Sequence, residues 1–303
     1  MKLPTKATLI EVGPRDGFQA EDKLIPNDLK LEILKRLSLT GLSRIQATSF
    51  VNPKLMPQMA DADELCSRLP NKNRVIYTGL ALNLKGIERA YAAGLKHIDI
   101  SVSASETHSL KNTGVSLKNA MEQIKKMHSL SKNYNMKICA GIQCAFGCVY
   151  EGKIPSTKVV GIAKEIINMG IDMFLLADTT GMANPKQVED LITRIKPITK
   201  GLPIILHFHD TRGMGLANVV TALQCGVTHF DTAFGGMGGC PFVVRASGNI
   251  ATEDTAFLME SIGVETGTDI KKIAECSTLM EKFLGKKLAG KIHRFISPNN
   301  IIY

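Results

Sequence analysis

The chain has 303 residues, of which 44% are hydrophobic and 21% charged, so it can bury a sizeable core and does not have the composition of a disordered protein. The formal net charge is +9, but aromatic residues make up only 5% and Trp is absent, which argues against stacking surfaces for single-stranded nucleic acid. With no recognised nucleic-acid-binding module, we expect no nucleic-acid partner.

The cysteines and the apolar runs of the sequence indicate in which cellular compartment the protein is found. Seven cysteines, an odd number without any C-x-x-C pair, are typical of a reducing environment in which thiols stay free. The first residues lack the long apolar stretch of a signal peptide, and no run reaches the roughly 18 apolar residues that a membrane-spanning helix needs. We therefore expect a cytoplasmic protein without membrane contact.

Short β-branched or apolar runs alternate with longer amphipathic segments along the chain, as in parallel strand–helix units. Several predicted helices end in a glycine just before the next strand, which is the usual left-handed helix end. The predicted strands are Thr8–Val12, Arg44–Thr48, Arg74–Thr78, His97–Val102, Lys137–Cys144, Met173–Ala177, Ile204–His209 and His229–Ala233. The predicted helices include Leu29–Leu39, Gly86–Ala93, Leu117–Leu130, Thr157–Met169, Lys186–Ile195 and Leu216–Cys225.

Eight strand–helix units predict an α/β protein with a (β/α)8 TIM barrel, for which about 250 residues are typical. A doubly wound sheet is the competing architecture, but no G-x-G-x-x-G follows the first strand. We assign residues 1–265 to the catalytic barrel and residues 266–303 to a short C-terminal helical extension packed on it.

A barrel carries its chemistry at the carboxyl ends of its strands. At the end of the seventh strand, His207 and His209 are two residues apart, so both imidazoles point to the same side of the strand. Together with Asp16, after the first strand, they predict a divalent-metal site. The alternative is a pair of histidines that is merely hydrogen-bonded.

Other polar residues in this region have two interpretations each. Asp178 ends the sixth strand and either faces the site or caps a turn, whereas Asp210 is better explained as a helix cap. Cys240 follows the glycine-rich run 235–239 and is either a proton donor on a closing loop or a buried thiol.

Four stretches now identify a relationship. EVGPRDGFQ (11–19), ATSFVNPKLMPQMAD (47–61), HFHDTRGMGLAN (207–218) and GGMGGCPFVVRASGNIATED (235–254) resemble the 3-hydroxy-3-methylglutaryl-CoA lyase family, in register from about residue 7 to 270. The resemblance implies an enzyme on a barrel that cleaves a carbon–carbon bond of a 3-hydroxyacyl-CoA. Hydroxymethylglutaryl-CoA would give acetyl-CoA and acetoacetate, with Mg²⁺ or Mn²⁺ as cofactor.

Carried over by position, the resemblance implies roles for individual residues. Arg15 would stabilise the enolate oxygen, Cys240 would be the acid/base of the loop, and the partner would be an acyl-CoA substrate of a homodimer or higher homo-oligomer. The metal ligands would be Asp16, His207, His209 and Asn249. We predict catalytic roles for Arg15, Asp178, His207 and Cys240, and substrate contacts for Gln19, Gln46, Ser49, Gln143 and Arg212.

The chain departs from the family pattern around the mouth of the barrel. The family has Glu at the position of Gln46, Ser at those of Gln143 and Leu175, and Tyr at that of Arg212. Gln46 can carry neither a proton in catalysis nor a negative charge near the metal. Two alternative functions therefore stay open: a lyase for a related substrate such as citramalyl-CoA, and an acetyl-CoA-dependent Claisen-type synthase. A catalytically inactive relative is a further alternative.

Overall fold

The computed structural model describes residues 2–70, 74–239 and 248–296. Eight parallel strands close into a barrel in chain order, with the first strand paired to the eighth. The strands are β1 Thr8–Glu11, β2 Arg44–Ser49, β3 Ile76–Leu80, β4 His97–Ser103, β5 Lys137–Gln143, β6 Met173–Asp178, β7 Ile204–Phe208 and β8 His229–Thr232. The predicted (β/α)8 barrel is confirmed, and the predicted competitor, an open doubly wound sheet, is wrong because the sheet closes.

Ten α-helices lie in the described ranges. They are α1 Asn27–Leu37, α2 Ala62–Ser67, α3 Leu84–Ala92, α4 Glu106–Thr113, α5 Leu117–Asn133, α6 Ser156–Asn168, α7 Pro185–Thr199, α8 Gly215–Gln224, α9 Thr252–Ser261 and α10 Ile270–Leu284. The helices that the sequence pattern did not predict include the short α2 and α4. The third strand begins at Ile76 instead of Arg74, where it pairs with Arg44 of β2.

The alternation of side chains along the strands sorts the core into two parts. Outward-facing residues such as Ile98, Phe174 and Phe230 are fully buried between the barrel and the helices. Inward-facing residues of the later strands instead surround an open cavity near the barrel mouth, among them Ser101, Cys139, Gly141, Leu175, His207 and Asp231. The barrel therefore carries its polar residues on the inside, toward the carboxyl ends of the strands.

The last helices complete the barrel wall. Helix α10 packs against α1 and α9, and its N-terminus is capped by Asp269, whose side chain accepts a hydrogen bond from the backbone of Lys272 at 3.1 Å. Beyond it, Lys291 and Ile292 donate backbone hydrogen bonds to Asp254 of α9. Within the described ranges, none of the helices combines the length and apolarity needed to cross a bilayer.

Candidate active site

The segment after β1 is a wide π-helical turn, Gly13–Gly17, in which Pro14 is the second residue. π-Turns are rare and are often found at functional sites. This turn places Arg15 and Asp16 over the barrel mouth, where the guanidinium of Arg15 donates to Oδ1 of Asp16. The other carboxylate oxygen, Oδ2, faces the two histidines at the end of β7, His207 and His209.

His207 and His209 point to the same place, as their spacing predicts. Their Nε2 atoms are 3.1 Å apart and lie 3.9 Å and 3.8 Å from Oδ2 of Asp16, respectively. One ligand atom from each of the three residues lies within 4.8 Å of the other two, so the group could hold a metal ion. The structure thus brings together residues that are far apart in the sequence.

Asn249 reaches the same place through backbone pairing. Residues 248–250 pair with the end of β7: Asp210 donates its backbone N–H to Gly248, and Ile250 donates to Phe208. This register puts Asn249 beside His209, and its Nδ2 donates to Oδ2 of Asp16 at 2.7 Å. Its amide oxygen, Oδ1, is buried and has no hydrogen-bond partner among the described residues.

The hydrogen bonds and the charges at this place fit a bound cation. Nδ1 of His207 lies 3.1 Å from Oδ2 of Asp231; when this carboxyl group is ionised it accepts the Nδ1 proton of a neutral ring, and Nε2 presents a lone pair. Burial alone would raise the pKa of Asp16, but the neighbouring guanidinium of Arg15 holds it well below its usual range. A carboxylate, imidazole lone pairs and the unpaired amide oxygen of Asn249 are a donor set that fits a divalent metal.

Asp178, at the end of β6, is buried and makes a turn contact. Oδ1 accepts a hydrogen bond from the backbone of Met182 at 2.7 Å, which confirms the turn interpretation. Oδ2 is buried without a partner among the described residues. Burial raises the pKa of Asp178, although His209 and His207 lower it. The observed contact is that of a turn residue, and a catalytic role for Asp178 stays a prediction.

A cavity of about 660 Å³ opens above these residues. Arg15, Gln19, Gln46 and Gln143 line it, as predicted, and Gln19 accepts a hydrogen bond from Ser49 at 3.3 Å. Gln143 donates to Ser101 at 3.1 Å on the neighbouring strand β4. The rim includes Lys286 of the segment after α10, whose Nζ lies 2.6 Å from Oε2 of Glu21.

The described residues that line the cavity do not include four predicted site residues, Ser49, Asp178, Arg212 and Asn249. Arg212 is not among the described residues that line the cavity, and its guanidinium donates to the backbone carbonyls of Thr180 and Gly181, both at 2.8 Å. Cys240 lies outside the described residues, although Gly239 before it lines the cavity. Asp210 accepts from the backbone N–H of Gly215 at the start of α8, so its predicted capping role is confirmed.

The sequence interpretation missed three buried acidic residues that support the site. Asp231 orients His207, and Asp99 accepts a hydrogen bond from Gln46 at 2.5 Å. Glu11 accepts backbone hydrogen bonds from Gly13 at 2.7 Å and Phe234 at 3.1 Å, so one carboxyl group joins the turn of Asp16 to the start of the glycine-rich run. Acidic residues within short apolar strands are the sequence signal that could have revealed them.

The chain is similar to curated lyases over nearly its whole length. It is 38% identical over 291 residues to hydroxymethylglutaryl-CoA lyase YngG of Bacillus subtilis, a match that covers 96% of this chain and 97% of the relative. It is 36% identical over 290 residues to the human mitochondrial hydroxymethylglutaryl-CoA lyase, covering 96% and 89%.

Solved structures of HMG-CoA lyases are also similar to this chain over nearly its whole length. The chain superposes with a TM-score of 0.94 on an HMG-CoA lyase from Acinetobacter baumannii in complex with coenzyme A and 3-methylmalate, at 35% identity over 100% of this chain and 99% of that one. The HMG-CoA lyase of Bacillus subtilis superposes with a TM-score of 0.92, at 38% identity over 97% and 99%. The HMGL-like family model matches residues 6–280, and the chain belongs to this family.

Proposed function

We propose that this protein is a divalent-metal-dependent lyase that cleaves 3-hydroxy-3-methylglutaryl-CoA into acetyl-CoA and acetoacetate. The observation that carries the proposal is the convergence of Asp16, His207 and His209 with the unpaired amide oxygen of Asn249 at the base of a cavity of about 660 Å³. The relatives named hydroxymethylglutaryl-CoA lyase support the substrate.

Asp16, His207, His209 and Asn249 would hold the metal, and mixed nitrogen and oxygen ligands suit Mg²⁺ or Mn²⁺. When bound, such a cation lowers the pKa of a hydroxyl group that it contacts. Asp178 is our candidate for accepting that proton, because it ends β6, the strand beside His207, and burial raises its pKa.

Cleavage of the carbon–carbon bond leaves negative charge on the thioester oxygen of the departing acetyl-CoA. Arg15 lines the cavity beside the metal ligands, and a fixed guanidinium stabilises such charge. The carbanion then needs a proton, for which Cys240 is our candidate donor, since it follows Gly239 at the cavity rim. Gln19, Ser49 and Gln143 would contact the substrate, as would Arg212 if its guanidinium leaves the Thr180 and Gly181 carbonyls.

A second candidate is a lyase for a smaller hydroxyacyl-CoA such as citramalyl-CoA. It is favoured by the 3-methylmalate that accompanies coenzyme A in the Acinetobacter structure, and by Gln46 and Leu175 in the cavity wall. The same residues would also serve the reverse condensation of acetyl-CoA with an oxo acid. A cytoplasmic location and a homo-oligomer stay predictions.

The test is a set of thioesters incubated with and without Mg²⁺ or Mn²⁺. Hydroxymethylglutaryl-CoA should give acetyl-CoA and acetoacetate, EDTA should abolish turnover, and either ion should restore it. His209→Ala should not be rescued by added metal, and its affinity for Mn²⁺, measured by calorimetry, should fall. Pyruvate from citramalyl-CoA at a higher kcat/KM would favour the second candidate, and full turnover in excess chelator would contradict both.

A further inference from the structure

The guanidinium of Arg15 is the end of a chain of buried hydrogen bonds that runs through two strands of the barrel. Nε of Arg15 donates to Oε1 of Gln46 on β2, and Nε2 of Gln46 donates to Oδ2 of Asp99 on β4 at 2.5 Å. Gln46 is 5% exposed and Asp99 is 9% exposed. Arg15 is therefore held from two sides, by Asp16 of its own turn and by Gln46.

Asp99 is itself fixed by two further donors. Oδ2 accepts a hydrogen bond from the hydroxyl of Thr78 on β3 at 2.5 Å, and Oδ1 accepts from Nη2 of Arg44 on β2 at 2.8 Å. Arg44 is 8% exposed, so this is a buried ion pair. Strands β2, β3 and β4 thus anchor one carboxylate, on which the orientation of Gln46 depends.

We call the chain of hydrogen bonds from Asp99 through Gln46 to Arg15 the relay. The chemistry of these three groups sets its direction. An ionised carboxylate can only accept hydrogen bonds and a guanidinium can only donate them, so an amide between the two has one orientation that satisfies both. Asp99 turns the NH2 group of Gln46 toward itself, and the carbonyl oxygen therefore faces Arg15. The orientation of the amide is determined from both ends.

We infer that Asp99, anchored by Arg44 and Thr78, is a positioning residue for Arg15 and acts through Gln46. This inference rests on the proposed function, in which Arg15 stabilises charge that develops during cleavage. Asp99 does not donate to the reacting atoms in this scheme. Asp99 fixes the orientation of the Gln46 amide, and the amide oxygen of Gln46 in turn fixes the direction of the Arg15 guanidinium.

The relay makes positions 46 and 99 interdependent. In Gln46→Glu two carboxylates would face each other at hydrogen-bond distance, which is repulsive in a buried site. In Asp99→Asn, if the amide oxygen stays on Arg44, an NH2 group would face the NH2 of Gln46. In the double variant the new amide at position 99 would donate to the new carboxylate at position 46, which would still accept from Arg15. Exchanging the two groups keeps a donor opposite an acceptor from Arg15 to position 99, and the Thr78 hydroxyl would accept from the second N–H of the new amide instead of donating to it.

The experiment measures kcat and KM of the wild type, Gln46→Glu, Asp99→Asn and the double variant, with the thioester that the wild type cleaves best. Each single variant should lose about 10- to 100-fold in kcat with a smaller change in KM, because a misplaced Arg15 affects the transition state more than binding. The double variant should recover to within about fivefold of the wild type, a strong coupling between neighbours.

Urea unfolding of all four proteins separates positioning from stability. Asp172→Asn is the matched control: Asp172 accepts from Lys137 and the backbone of Ile138 at the opposite end of the barrel, so it should lose stability but keep kcat. If the single variants do not fold, Thr78→Val removes one donor to Asp99 more gently and should lower kcat about threefold to tenfold.

Additive losses in the double variant, or an unchanged kcat in Thr78→Val, would overturn the relay while leaving the proposed function intact. Single variants that unfold more easily yet keep kcat would also overturn it, because Asp99 would then have only a structural role. A wild type that cleaves none of the thioesters would contradict the proposed function itself and remove the task assigned to Arg15.

Discussion

Nδ1 of His207 lies 3.1 Å from Oδ2 of Asp231, a buried carboxylate on the adjacent strand β8. Burial raises the pKa of Asp231 by more than its hydrogen bond to His207 lowers it, so the pKa lies above its ordinary value. Because the carboxylate accepts the proton of Nδ1 in a hydrogen bond, Nε2 is left to face Asp16 and His209. Such partners fix the ring and tautomer of a metal-binding histidine.

Asp231→Asn should therefore weaken Mn²⁺ affinity and lower kcat/KM, each by about 10- to 100-fold, the usual effect of losing a partner of a metal ligand. Calorimetry with Mn²⁺ and steady-state kinetics measure the two quantities. Asp269→Asn, at the N-terminus of α10 and away from the cavity, is the matched control and should change neither. Equal metal affinity in Asp231→Asn and wild type would show that His207 does not need this carboxylate.

Much of this architecture follows from the sequence because its signals are local. The eight strands are short apolar runs, and His207 and His209 share a face through the two-residue period of a strand. Asn249 is different: its position depends on the pairing of residues 248–250 with β7, and the sequence supported it only through the family resemblance.

Pairings between distant strands carry no local signal. Arg44 and Asp99 are 55 residues apart and meet only because β2, β3 and β4 are neighbours in the closed barrel. The orientation of the Gln46 amide depends on that meeting. The sequence placed Gln46 in the site, but it could not show that a carboxylate from another strand accepts a hydrogen bond from its amide.

Cys240 stays a prediction, because it lies outside the described residues. If it donates the product-side proton, Cys240→Ser should lower kcat by about 10²- to 10⁴-fold, the usual contribution of a general acid. Cys225→Ser is the control, since Cys225 is a partly exposed thiol at the end of α8 and away from the cavity. Steady-state kinetics of both variants decide the matter, and equal kcat values would exclude Cys240 as the donor.

Gly248 makes room for the close approach that places Asn249. A Cβ atom on Gly248 would overlap the carbonyl group of Gly238, so the two segments would have to separate. We expect Gly248→Ala to lower kcat by about 10²-fold or more, since a displacement of about 1 Å in a site has such effects. Mn²⁺ affinity should fall with it, because Asn249 would move away from Asp16.

Gly161→Ala is the matched control for Gly248→Ala. Gly161 lies within α6, and a Cβ atom there would meet nothing within 4 Å. Alanine in a helix is more favourable than glycine by about 0.5–1 kcal/mol, so this variant should be slightly more stable and fully active. If both variants behaved alike, the close contact between Gly238 and Gly248 would have no importance for the site.

His293 gives the protein a pH-dependent contact at its C-terminal segment. The ring is 4% exposed, with Nε2 3.0 Å from Oε1 of Glu281 and Nδ1 3.3 Å from Oε1 of Glu253. Burial lowers the pKa of His293, but the two carboxylates raise it by a larger amount. The pKa is therefore above the ordinary value of 6.5. A histidine whose pKa is raised by folding stabilises the folded protein fully at pH values below its pKa in the unfolded state. This contribution is lost as the pH rises through its pKa in the folded state.

His293→Gln should therefore cost more stability at pH 6, about 1.5–3 kcal/mol for hydrogen bonds to charged groups, than at pH 9. Urea unfolding of the wild type and the variant at both pH values measures the difference. His229→Gln is the control of opposite sign, because burial lowers the pKa of His229 and its contribution is present above pH 6.5. The cost of His229→Gln should not shrink toward pH 9. An equal cost of His293→Gln at the two pH values would mean that the ring between Glu253 and Glu281 stays neutral throughout.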